Sequence, residues 1–205
     1  MADSRFASHL RLWTIVAPIM LAVGCPFLEG DTTFEISDAE LASVELNLGD
    51  AAASRAADRT NTQFQHWFVE SGAMKAWTST LPNSTDISDA GTTDMSNAWL
   101  RHFWMSLYRA VFRANVALSW AFGAFVFGLA MMNDGAVSRR IKAAAAGFAS
   151  PVAFHVAAHA TVITLGMGTS ALLFPFSLNT MWWSVGALVL GVLGWRMAAS
   201  FHVGR

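Results

Sequence analysis

Four stretches of this chain are too long and too apolar to be ordinary surface helices, and they constrain its fold more than any other feature. A spanning helix needs about 20 mostly apolar residues. The first run, Leu12 to Leu28, is short and carries Pro18 and Pro26. The second, Ala114 to Met132, has no charge, and the third, Val152 to Phe176, has none either but carries His155 and His159. The fourth, Met181 to Met197, reaches Arg196 only near its end. Charged residues make up 13% of the chain, against roughly 25% in a soluble domain. These features predict an all-α integral membrane protein. Four transmembrane helices are expected, with a helical periplasmic domain between the first and second.

The first run has a second reading. Arg5, Arg11 and a short apolar core resemble a signal peptide, and Leu21-Ala22-Val23-Gly24-Cys25 approaches a lipoprotein cleavage box. Against cleavage, Ala22 stands where Leu is preferred, and Pro26 follows the cysteine directly. An uncleaved anchor is the expectation, and cleavage would leave the later topology unchanged. Cys25 is the only cysteine, which excludes an internal disulfide and a four-cysteine metal site.

Charge gives the orientation. With four spans, the termini and the 133–150 loop share one side. That side holds Arg5, Arg11, Arg139, Arg140, Lys142, Arg196 and Arg205, against Asp3 and Asp134. Residues 29–113 hold twelve acids and six bases. Lys and Arg favour the cytoplasmic side. The chain is therefore expected to comprise a tail and first helix (1–28), an acidic periplasmic domain (29–113) and a three-helix bundle (114–205). The basic loop 133–150 would be cytoplasmic, and the whole would lie in a bacterial inner membrane. Arg109 and Arg113 run against this rule. Lipid phosphates and the acidic region are both candidate partners for them, and the sequence does not choose.

Within 29–113, Ser37 and Glu40 form a capping box that starts a helix near Asp38. A break is expected near Gly49, then a second helix from about Ala51 to Trp77. Residues 79–94 read as a loop, rich in Ser, Thr, Asp and Asn. From Ser96, the residues Trp99, Leu100, Phe103, Trp104, Leu107, Tyr108, Val111 and Phe112 form a stripe at helical spacing. Nothing breaks the pattern before the second run, so one helix is predicted from about Ser96 to Met132, over roughly 50 Å long. Its outer half would pack on Phe64, Trp67, Phe68 and Trp77. The rival arrangement lays those aromatics in the membrane interface.

Candidates for chemistry are few. His155 and His159 stand at i and i+4, a spacing that suits a metal or a shared proton. Two imidazoles do not complete a metal site, and no acid lies in any apolar run to supply a third ligand. Hydrogen bonding between helices is the simpler role. In 133–150, Asp134-Gly135 reads as a turn, followed by a short helix through Ala143–Ala146 that stops at Gly147. Arg139, Arg140 and Lys142 there would meet anionic lipid or a partner, with Asp134 beside them. Ser150-Pro151 suits the start of the third spanning helix. Ala187, Gly191 and Gly194 allow a close helix contact. The sequence has no phosphate-binding glycine loop, nucleophile elbow or His-Glu-x-x-His motif. No catalytic role or cofactor is assigned, and no direct nucleic-acid binding is expected.

One set of residues resembles a known family. Tyr108-Arg109 with Arg113, Asp134-Gly135, Arg139-Arg140-Ile141, Phe148, Ser150-Pro151, His155 and His159 are similar to the integrating conjugative element membrane proteins. Trp67-Phe68 also fits. The run Ala143–Ala146 departs from it, where bulkier or basic residues are expected. The resemblance implies an inner-membrane accessory of conjugative DNA transfer by a type IV secretion apparatus, in contact with a coupling ATPase. It brings no catalytic residues. A metal- or haem-handling protein using His155 and His159 is the alternative, and a small transporter subunit is a third reading. A homo-oligomer is left open.

Overall fold

The computed structural model describes residues 5–79, 92–145, 147 and 150–201. Among these the secondary structure is helical, with no strand. Four helices are long and apolar enough to cross a membrane: Arg5–Phe27, Thr93–Ala144, Pro151–Leu173 and Met181–Ser200.

The first of these is α1 (Arg5–Arg11), a π-helical turn (Leu12–Val16), α2 (Ala17–Gly24) and a 3-10 turn (Cys25–Phe27). Pro18 was expected to interrupt it, yet the helix continues. The π turn explains this. The Ala17 N–H bonds to the Leu12 carbonyl, five residues back. Widening the helix just ahead of Pro18 makes room for a ring that would otherwise meet the preceding turn.

Next come α3 (Asp38–Leu48), α4 (Asp50–Phe64), a π-helical turn (Gln65–Glu70) and α5 (Ala73–Thr78). Ser37 caps α3, its hydroxyl accepting from the Glu40 N–H at 3.2 Å. Gly49, at φ 79°, ends it. The single helix expected over Ala51–Trp77 is broken at Gly72, which sits at φ 77° in the left-handed region. The loop expected over 79–94 lies outside the described residues except at Ser79 and from Thr92 on.

The helix α6 runs without a break over Thr92–Ala144, longer at both ends than the expected Ser96–Met132. It continues through Asp134-Gly135, which the sequence suggested as a turn. Tertiary packing overrides the local preference. A Cβ at Gly135 would run into the carbonyl oxygen of Trp195, and Asp134 accepts a 2.7 Å hydrogen bond from the Trp195 indole N–H. Beyond Ala144, the Gly147 N–H bonds to the Lys142 carbonyl at 2.8 Å. Ala146 and Phe148 lie outside the described residues.

Helices α7 (Pro151–Leu173) and α8 (Met181–Ser200) complete the chain. The apolar run that reached Phe176 in sequence stops being helical at Leu173, two residues before Pro175. Proline disfavours helical geometry in the residue before it.

The chain divides into two compact units. One comprises Met1–Pro18, Ala117–Ser170 and Met181–Arg205, and the other Ile19–Val116 and Ala171–Thr180. The first unit packs its helices through glycines. Gly166 lies against the backbone of Trp13, and Gly191 against the Phe127 ring. Small residues let backbones approach where apolar surroundings give no hydrophobic drive. Its outer surface is apolar, with Leu118, Phe122, Phe125 and Leu129 more than half exposed.

Candidate functional site

The second unit is organised around two buried arginines of α6. Arg109 and Arg113, one helical turn apart, are each 1% exposed. Arg113 forms a bidentate pair with Glu40 of α3, with Nε to Oε1 at 2.6 Å and NH2 to Oε2 at 2.7 Å. It also donates to the carbonyls of Ala171, Phe174 and Phe176 at 2.6–2.8 Å. Arg109 donates to the carbonyls of Thr33, Phe174 and Pro175 at 2.8, 2.9 and 3.2 Å. The last carbonyls of a helix have no partner within it, and cations are favoured at its negative end. The two guanidinium groups thus cap the C-terminus of α7 and hold the strand of chain that follows it.

Glu40 completes the arrangement by accepting from the Leu178 N–H at 3.3 Å. Next to it, Ser43 and Thr180 exchange a buried 2.8 Å hydroxyl bond. Of the two partners left open by the sequence, Arg113 takes the acidic region. Both arginines are buried and bonded to internal acceptors, with Arg109 Nε left unpaired.

A second polar group lies nearer the start of α6. The ring of His102 is buried and stacks on Phe34 at 4.4 Å. Its Nδ1 lies 3.0 Å from the Pro26 carbonyl and its Nε2 2.8 Å from the Asp31 carboxylate. Asp31 also receives Arg101 at 2.8 Å. The hydrogen bond from His102, and then that from Arg101, hold the Asp31 carboxyl below its ordinary value.

The aromatic stripe of α6 packs within this unit. Trp104 meets Phe64, Phe68 and Trp77 at ring separations of 5.7–6.3 Å, and Tyr108 meets Phe64 at 5.3 Å. Tyr108 donates to Asn61 at 2.6 Å. Trp67 contacts Phe68 and is 51% exposed. Beside the stripe lies a groove of about 380 Å³, lined among others by Phe34, Glu35, Phe64, Met74, Trp104 and Tyr108.

In the first unit, one end gathers the cations. Phe6 and His9 of α1 meet His159 at 5.4 and 5.0 Å. Phe154 of α7 meets Phe201 just past α8 at 5.6 Å, and the Arg139 guanidinium of α6 lies 5.7 Å from that same ring. The start of α1, the end of α6, the start of α7 and the end of α8 therefore converge. Arg5, Arg139, Arg140, Lys142 and Arg196 lie on those terminal turns, and Arg11 lies where α1 ends. Among the described residues none of them forms an ion pair with a carboxylate.

His155 is exposed and His159 half-buried, its Nδ1 buried without a partner. Among the described residues, no three or more His, Cys, Asp or Glu side chains gather to hold a metal. Gly191 and Gly194 are buried against Phe127 and Met132 of α6, while Ala187 is half-buried.

Sequence reasoning missed Glu40 as the partner of Arg113, because its place in a capping box already explained it. It also missed the Asp31–His102 link and the Ser43–Thr180 bond. The one available signal was the arginine pair at i and i+4, on a face of the helix other than the aromatic stripe.

Among the described residues the fold is all-helical, with four membrane-length apolar helices and buried charges bonded to one another and to the chain's own backbone. A family model described as IncC plasmid conjugative DNA transfer protein DtrJ-like matches residues 30–202. The chain therefore belongs to the DtrJ-like family of conjugative DNA transfer proteins, which agrees with the expected relation to a conjugative element. No curated protein and no solved structure matches the chain.

Proposed function

We propose that this protein is a non-enzymatic inner-membrane accessory of a conjugative, type IV secretion apparatus, and that it docks the coupling ATPase or the channel. The observation that carries this reading is the family match over residues 30–202. Two structural features support a scaffold. Glycine-mediated helix contacts hold the first unit, and in the second the buried Arg113 guanidinium makes all its hydrogen bonds within the chain. A buried ion pair whose hydrogen bonds are made internally favours one conformation.

In this reading the cation-rich end of the first unit faces the cytoplasm, and residues 29–113 lie in the periplasm. The groove beside Trp104 and Tyr108 offers a docking face on this unit, with the exposed Trp67 three residues after Phe64 of its lining. A periplasmic reporter fused after Lys142 should be inactive, and an active fusion would overturn the orientation.

Co-purification from native membranes of a donor cell tests the role directly. Recovery of the coupling ATPase or other secretion components, together with loss of DNA transfer on deletion, is the expected result. A deletion strain that transfers at the parental rate, or a protein recovered alone, would refute it.

A further inference from the structure

We propose that the cation-rich end of the first unit is a binding site for an anionic phospholipid. Its acyl chain would lie along α7, and its phosphate would sit among Arg5, His155 and Arg139. Three observations meet there. A groove of about 490 Å³ is lined by Val152, His155, Val156, His159, Ala160 and Ile163. These positions follow i, i+3, i+4, i+7, i+8 and i+11, so they form a single stripe of the helix. Val152 and Val156 are 71% and 63% exposed. Apart from the two imidazoles the stripe is wholly apolar, which suits a hydrocarbon chain.

The stripe begins at the end of the unit where the cations gather. The contact of Phe6 and His9 with His159 lays α1 beside it, and Arg5 directly precedes Phe6. At the same end of α7, Phe154 meets Phe201, and the Arg139 guanidinium of α6 lies 5.7 Å from that ring. Asp134 of α6 accepts from the neutral Trp195 indole and keeps its charge, one acid against Arg5, Arg139, Arg140, Lys142 and Arg196. The end is therefore basic, with no ion-paired carboxylate among the described residues to neutralise it.

An apolar stem with a cluster of positive charge at one end is complementary to a lipid carrying a phosphate. A soluble acidic protein would use the charge and leave the apolar stripe empty. A partner helix would use the stripe and has no need of the cations. The lipid uses both, and a cation near an anionic headgroup strengthens binding roughly fivefold. This site is independent of the transfer role proposed above.

The test uses the full-length protein in a neutral detergent. It is mixed in turn with phosphatidylglycerol, phosphatidylcholine and inorganic phosphate, and bound lipid is counted by native mass spectrometry. Preferential retention of phosphatidylglycerol is expected. Arg5→Gln with Arg139→Gln should reduce that preference by roughly fivefold per cation. Ala160→Phe should displace the acyl chain and abolish retention of both lipids. Val156→Phe fills the groove from its exposed side without entering the helix packing, and covers the case in which Ala160→Phe fails to fold.

Equal retention of the two lipids would overturn the proposal, as would cation variants that bind like the parent. Retention that survives Val156→Phe, or displacement by inorganic phosphate alone, would show that the groove is unused. Cation variants that keep their lipid but lose a co-purifying protein would assign the surface to that protein instead.

Discussion

Replacing Glu40 by leucine isolates the contribution of the buried charge pair. Glu40 and Arg113 are 3% and 1% exposed in their side chains, so neither retreats to water when the other is removed. In Glu40→Leu, Arg113 keeps its carbonyl acceptors at Ala171, Phe174 and Phe176 but loses its counter-charge. Arg109, one turn away and equally buried, adds a like charge. Removing one partner of a buried pair costs about 3–5 kcal/mol. The Leu178 N–H also loses its acceptor, for about 1 kcal/mol more. The total, about 4–6 kcal/mol, is comparable with the whole stability of many domains, about 5–15 kcal/mol. The double variant Glu40→Leu/Arg113→Met removes the stranded charge. It leaves the Phe174 carbonyl with Arg109 and the Ala171 carbonyl with the Phe174 N–H at 3.4 Å. The Phe176 carbonyl is left without its Arg113 donor, for about 1–3 kcal/mol. The double variant should therefore be more stable than Glu40→Leu alone. Tryptophan fluorescence during denaturation in mild detergent reads both. A single variant costing under about 1 kcal/mol, or a double variant costing the sum of the singles, would refute the reasoning.

Three further outcomes follow from the same geometry. Gly135→Ala should weaken the α6–α8 contact by about 1–3 kcal/mol, because the obstacle is backbone, whereas Gly191→Ala should cost less, because the obstacle is the edge of the Phe127 ring. Thermal unfolding in detergent compares the two, and equal losses would contradict the distinction. The Asp31 link makes a pH-dependent contribution: its folded-state pKa is lowered, so the stabilisation is present above the unfolded value and is lost as pH falls through the folded one. Acid unfolding of Asp31→Asn should lack this component, and an unchanged acid profile would remove the link from the account. Thr180→Val should lose the bond to Ser43 and lower stability by about 1 kcal/mol, read by the same fluorescence assay.

The apolar runs, the capped start of α3 and the continuity of α6 were legible because each rests on a local pattern: length, the Ser37 cap, and the 3.6-residue stripe from Trp99 to Phe112. The break at Gly72 and the helical state of Asp134-Gly135 were not. In the first case a glycine adopts a left-handed conformation that composition alone does not demand. In the second, a residue pair that favours turns is held in a helix because a neighbouring backbone approaches where only glycine fits. The arginine centre was the least legible part. Most of its acceptors are main-chain carbonyls of residues 33 and 171–176, and a carbonyl carries no side-chain signature in sequence.

That distinction decides how loss of DNA transfer in a variant should be interpreted. Residues 171–180, the end of α7 and the segment that joins it to α8, belong to the second unit, and Arg109 and Arg113 hold their backbone. A variant at either position therefore disturbs the path of the chain between two membrane-length helices. Its loss of transfer would report folding and would not locate a docking surface. Arg139, Arg140 and Lys142 differ in this respect. They are without carboxylate partners among the described residues, and neutralising them removes charge from a surface. A variant there that folds normally and still loses transfer has lost an interaction with something outside the chain. Phosphatidylglycerol retention by that variant then separates the lipid from a protein partner.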